Sequence, residues 1–266
     1  MRVYGIAAAW FVLLPVAAAP AETQPCCQRV ADDGGPLEPI PDPSTWQQPA
    51  ASPSPPSGLQ PGDKYHVIFA TSFQTAVDSV AIFPPAFPHF GSLEAADWIV
   101  TFAVYNTGQL PDWNTYDLIY TAILSTAETD ARDRLTLQGP LYNTRGDLIA
   151  TGEADLWDGA IANPVGYDEF GGEIVEDAQV WTGTNTLGYE EVDTCVNWTN
   201  PSSFDRGQTG IATEANNWLS ITEITCNCTA RLYGVSPAIT YVPEPSTLVL
   251  LLAALVSISC CRRGAT

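Results

Sequence analysis

The chain of 266 residues carries 10 basic against 30 acidic side chains, a formal net charge of −20, with 45% hydrophobic residues and 22 prolines. So acidic a chain repels phosphate backbones and anionic membrane surfaces, which argues against nucleic acid and heparin-like ligands. Its two histidines, His66 and His89, stand in neither an H-E-x-x-H nor a G-x-S-x-G context, so a histidine-based triad lacks its parts.

At the N-terminus Arg2 precedes an apolar run over 3–18, and Ala19-Pro20-Ala21 places small residues before Glu22. This is the pattern of a secretory signal peptide over 1–21, because the run falls short of the ~20 apolar residues a span needs. Residues 22–63 follow as a linker in which no apolar face can form. Ten prolines fall between 25 and 63, with Ser, Ala, Gly and Asp between them, so extended and disordered chain is expected. Cys26-Cys27 at its start could tether the protein or close a vicinal disulfide.

A folded domain is expected over 64–238. "YHVIFATS" (65–72) alternates Tyr65, Val67 and Phe69 against His66, Ile68 and Ala70, the signature of a buried strand. In "SLEAADWIVTFAVYNTG" (92–108) the period changes. Leu93, Ala96, Val100 and Ala103 share a helical face, Ser92 can cap the first turn and Gly108 can end the helix. Short β-like segments follow, among them "TAILST", "GPLYNTRGDLIATG", "DAQVWTGT", "CVNWTN", "NNWLSITEITCNC" and "ARLYGV". The class expected from this order is α+β, with one main helix, short antiparallel strands and long irregular loops. Trp157, Trp181, Trp198 and Trp218 read as core anchors of this half.

The chemistry on offer is modest. Cys226-Asn227-Cys228 has no second cysteine pair and no nearby histidine to complete a four-ligand metal set, so a disulfide from Cys195 to one of the two is expected. Carboxylates are plentiful in loops, where a hard cation such as Ca²⁺ would find oxygens, yet no EF-hand spacing occurs and the Glu-Pro-Asn motif of sugar-binding lectins is missing. An acidic solvated surface is the plainer reading and no cofactor is expected. A metal would be sought first at Asp155, Asp158, Asp168 and Glu169. Arg145-Gly146-Asp147 spells an adhesion tripeptide, but Gly and Asp are simply good turn residues.

The chain closes with "VPEPSTLVLLLAALVSISCCRR" (242–263), in which Pro243 and Pro245 keep the helix from starting before them and the apolar run 248–261 leads to Arg262 and Arg263. The stretch 242–266 looks like the PEP-CTERM sorting signal of Gram-negative bacteria. That resemblance implies export, transit through the inner membrane and cleavage near Pro243-Glu244-Pro245 by an exosortase-type enzyme, with a permanent single-span anchor as the competing reading. Removal of both ends leaves seven basic residues against 29 acidic ones, a net charge of −22, and five cysteines: Cys26, Cys27, Cys195, Cys226 and Cys228. An exported chain meets an oxidising compartment, where disulfides persist.

Taken in order, "IFATS" (68–72), "GSLEAADWIV" (91–100), "YTAILSTAETDARDRL" (120–135), "GPLYNTRGDLIA" (139–150), "DLWDG" (155–159), "YDEFGGEI" (167–174), "VWTGT" (180–184), "CVNWT" (195–199), "NNWL" (216–219) and "CNCTARLYG" (226–234) resemble bacterial C-type-lectin-like domains related to the endostatin region of collagens XV and XVIII. The resemblance implies a C-type-lectin-like fold. It also implies an inner bridge Cys195–Cys226, with Cys228 as the alternative partner, and a second bridge whose two positions are here Val100 and Gly234, with Trp98 filling the volume. The function expected from these readings is a non-catalytic binding or structural role at the cell surface or in the extracellular matrix, with polysaccharide as a partner. The alternative is a carbohydrate-active enzyme using paired carboxylates such as Asp168 and Glu169.

Overall fold

A computed structural model describes Pro56 and residues 58–77, 89–105, 119–175 and 178–242. The expected signal peptide, Cys26 and Cys27, most of the linker, Gly108 and the sorting-signal residues Pro243, Glu244, Pro245, Arg262 and Arg263 lie outside the described residues.

Strand formation dominates. Eleven strands join in one sheet, whose main path runs β6 (Leu148–Ala150), β5 (Leu141–Asn143), β1 (Lys64–Ala70), β10 (Thr229–Val235), β7 (Gln179–Trp181), β8 (Arg206–Ile211) and β9 (Thr222–Thr225). Off this path, β2 (Thr75–Val77) pairs β10 and β3 (His89–Phe90), β4 (Thr121–Ala122) pairs β10, and β11 (Ile239–Thr240) pairs β1. The helices are α1 (Leu93–Tyr105, 13 residues) and three of four residues each: α2 (Ala131–Arg134), α3 (Glu153–Leu156) and α4 (Cys195–Trp198).

This overturns the expected class. The sheet is mixed: β1 runs antiparallel to β10 but parallel to β5, β10 runs parallel to β7, and β2 runs parallel to β3. An α+β, C-type-lectin-like domain of one main helix on short antiparallel strands does not describe a mostly-β mixed sheet. The physical reason is that alternation reports which face of a strand is buried but not the direction of its partner. The parallel pairs join distant residues, such as Val67 with Tyr142 and Leu232 with Trp181, and local sequence does not encode them.

The sheet is buried on both faces. On one, Ile68, Ala70, Leu141, Val180, Tyr233 and Val235 pack with Leu156 of α3 and with Trp157 and Trp218 from the loops. On the other, Phe69, Trp181 and Leu232 meet Ala96, Ile99, Val100 and Ala103 of α1 and the ring of Trp198. Alternate residues of β1 and β10 therefore feed two different cores, which is why neither strand presents a polar face. Ser92 caps α1 as its position suggests, accepting from Ala95 N at 3.1 Å.

Val100 and Gly234 do meet. A Cβ on Gly234 would lie 2.9 Å from Val100 Cβ and 2.6 Å from the Phe69 ring. The volume there is filled by Phe69, not by Trp98, which is 44% exposed. All four tryptophans of the second half are buried, as their reading as anchors requires.

Candidate functional site

The two carboxylates proposed as a pair sit on a tight loop. Tyr167 bridges Glu173, Asp168 N donates to Gly172 O at 2.9 Å, and Asp168 Oδ1 accepts from Phe170 N at 2.9 Å and Gly172 N at 2.7 Å. Gly172 is needed there, because a Cβ would fall 2.7 Å from Asp168 Oδ2. The loop is fastened to the end of β1 by Ala70 N on Tyr167 O, and to the turn between β5 and β6 by Thr144 Oγ1 on Asp168 O and by Arg145 lying over the Tyr167 ring.

Glu169 turns inward. Only 6% exposed, it accepts from Ser72 N at 2.7 Å through Oε2 and from Ser72 Oγ at 2.6 Å through Oε1. Burial raises its pKa from 4.5 to about 7, against the bonds from Ser72. Burial also raises Asp168, opposed by its backbone donors and by Arg231 and Arg145. Glu169 holds the loop to Ser72, just past the end of β1, Asp168 closes the loop's own turn, and the Glu169 carboxyl faces protein rather than solvent.

The other metal candidates are elsewhere. Asp155 accepts from Thr151 N and Oγ1 at 2.7 and 2.8 Å, which holds its carboxyl below the usual range. Asp158 accepts from Ala160 N at 3.4 Å. Asp155 lies within α3 and Asp158 just beyond its end, while Asp168 and Glu169 belong to the 167–173 loop. Among the described residues no group of three or more His, Cys, Asp or Glu side chains gathers to hold a metal ion. His66 is buried, with Nδ1 donating to Ser236 O at 2.8 Å and Nε2 accepting from Gln138 N at 3.0 Å, so both ring nitrogens tie β1 to neighbouring chain.

The feature that sequence reading missed is backbone. Cys195, Val196, Asn197 and Trp198, the four residues of α4, all have positive φ, at 50°, 55°, 55° and 66°. A left-handed turn of L-residues costs roughly 1–2 kcal/mol per residue, and a β-branched residue such as Val196 is the worst placed. The surroundings hold it. Thr194 accepts Trp198 N at 2.7 Å on its carbonyl and Asn197 N at 3.3 Å on its hydroxyl. Cys195 is joined to Cys226, the likelier of the two bridges expected. The Trp198 ring packs on Trp181 and Phe90, and its Nε1 donates to Ser125 O at 2.9 Å.

Two glycines make room for this anchor. A Cβ on Gly183 would lie 2.6 Å from the Trp198 ring, and one on Gly207 would lie 2.7 Å from both Cys195 Sγ and the Trp181 ring. They were the available signal: Gly207 stands in β8 and Gly183 two residues past the end of β7, where any other residue would carry a side chain.

What the turn presents is polar and apolar together. Asn197 Oδ1 accepts from Ala127 N at 2.9 Å and its Nδ2 donates to Glu128 Oε2 at 3.0 Å, while Val196 is 58% exposed. Nearby, Asn200 Nδ2 donates to Asp205 Oδ2 at 2.6 Å, and the adjacent Phe204 is 95% exposed. Acids border this face. Glu190 is raised by burial and then by Asp130 and Glu128, and Glu223 by burial and then by its bond with Asp193.

Replacing Val196 by Asn, which tolerates the left-handed region, should therefore stabilise the domain by about 1 kcal/mol despite removing an aliphatic side chain. A urea titration showing loss of stability instead would mean that the turn is not left-handed in solution.

No protein-family model matches the chain, and no curated protein matches it.

Proposed function

We propose that the chain is an exported bacterial protein, sorted by an exosortase-type enzyme acting near Pro243-Glu244-Pro245, whose folded domain binds without catalysis at the cell surface or in the extracellular polysaccharide matrix. The terminal sequences support the export half of this reading, and the Cys195–Cys226 disulfide accords with an oxidising compartment. No described helix is long and apolar enough to cross a membrane, and the apolar run 248–261 lies outside the described residues.

The observation that carries the binding half is the left-handed turn. Four consecutive strained residues persist only where their surroundings over-determine them, and such strain gathers at ligand-binding elements. The acids that sequence reading offered for catalysis are meanwhile engaged in holding loops. With a charge of −22 on the trimmed chain, the polysaccharide that suits this face is neutral rather than anionic.

A glycan array probed with the purified protein, with and without Ca²⁺, tests the reading. Binding to neutral glycans should fall at least tenfold in Val196→Asp and Phe204→Ser, and be unchanged in Glu169→Gln. Release of new reducing ends from the glycans, abolished by Glu169→Gln, would replace this account with the enzymatic one.

A further inference from the structure

The 167–173 loop has a fixed neck and a self-contained tip. At the neck, Val165 and Ile174 are buried in the core, Ile174 N donates to Gly166 O at 2.9 Å, and Gly166 N donates to Ala212 O at 2.8 Å. At the tip, Gly171 N donates to Asp168 O at 3.0 Å, in addition to the bonds that Asp168 exchanges with Phe170 and Gly172. Between the two, the loop is pinned to the domain by Ala70 N on Tyr167 O at 3.1 Å, by Thr144 Oγ1 on Asp168 O at 2.9 Å, by Arg145 over the Tyr167 ring, and by Glu169 on Ser72. The last of these buries an ionisable carboxyl against two donors that carry no charge.

We infer that Glu169 is a pH-operated latch: its protonated side chain holds the 167–173 loop onto Ser72, and on losing its proton to water it lets the loop swing out while the sheet stays folded.

Charge sets the direction. The charged groups about the latch are Asp168 and Glu173 on the loop itself, Arg145 from the turn between β5 and β6, and Arg231 from β10, whose Nη1 donates to Thr71 O at 2.5 Å. Arg145 and Arg231 act on Asp168, opposing its rise, whereas Asp168 acts on Glu169 and raises it further. An ionised Glu169 in the closed loop is therefore a buried carboxylate whose neighbour is another carboxylate, an arrangement that folded chains relieve by moving the charge to water. Swinging out restores its hydration at the cost of a few hydrogen bonds of modest net worth, those from Ala70 N, Ser72 and Thr144 Oγ1. The packed neck does not have to move, so the opening is confined to a short segment. It uncovers the end of β1, at Ala70 N and Ser72 N.

Native-state hydrogen exchange of the full-length protein, followed with rising urea below the unfolding transition, tests this. The carboxyl titrates at about 7 when the loop is closed and at 4.5 when it is in water. The opening constant at the Phe170, Gly171 and Gly172 amides, corrected for intrinsic exchange, should accordingly rise about 25-fold from pH 5.5 to pH 8 and be insensitive to urea. The Leu232 amide in β10 should open far more rarely, through a process that urea promotes steeply. In Glu169→Gln the loop amides should lose their pH dependence. Loop amides that share the urea dependence of Leu232 would mean that the loop opens only with the whole domain, and a pH rise that survives in Glu169→Gln would place the titration on another group. Either result overturns the proposal.

Discussion

Replacing Trp198 by Ala should cost the domain about 4–5 kcal/mol, enough to unfold a protein of ordinary stability. Three losses combine. The fully buried ring leaves a cavity against Trp181 and Phe90, the Ser125 carbonyl loses its indole donor, and the left-handed turn loses the weight that holds it closed. Trp198→Phe keeps most of the volume and should cost about 1–2 kcal/mol, chiefly through the orphaned carbonyl. Trp98→Ala, at a half-exposed site on α1, should stay within about 1 kcal/mol. Urea unfolding of the three variants reads the order directly, and equal costs for Trp198 and Trp98 would show that the aromatic cluster is not the anchor described.

Glu169→Gln should make the domain less sensitive to pH, and more stable than the parent above neutrality. The carboxyl titrates near 7 in the folded state and at 4.5 when unfolded. Below 4.5 both states hold the proton and the contribution of Glu169 to stability is fully present. As pH rises toward and through 7 that contribution is lost, amounting to about 3 kcal/mol. Glutamine reproduces the protonated acid: its oxygen can accept from Ser72 N and its amide can meet Ser72 Oγ. The stability difference between variant and parent should thus grow by about 3 kcal/mol between pH 4.5 and 8. A difference that stays flat over that range would mean that Glu169 is solvated.

How much of this was legible in the sequence depends on the range of the interaction. The Ser92 cap, the buried strand at Tyr65 to Ala70, the four tryptophan anchors and a bridge from Cys195 are local or compositional, and the structure has each of them. The parallel pairings of β1 with β5 and of β10 with β7 are not local, so the mixed sheet was misread as an antiparallel α+β domain. The site failed for a different reason. Asp155, Asp158, Asp168 and Glu169 were grouped because loops hold acids, but each is used by its own turn or by Ser72. The left-handed turn, in contrast, is spelled by Cys, Val, Asn and Trp, of which only Asn favours that conformation. Tertiary packing, not propensity, decides it.

The central claim is that the outward face built on Cys195–Trp198, and not the Asp168–Glu169 loop, meets the ligand. Amide chemical-shift mapping during titration with a neutral polysaccharide fragment tests it most directly. The account predicts the largest shifts at Glu128, Val196, Asn197 and Phe204, with Ser72, Asp168 and Glu169 unmoved. Shifts concentrated at Ser72, Asp168 and Glu169, with a silent turn, would contradict it.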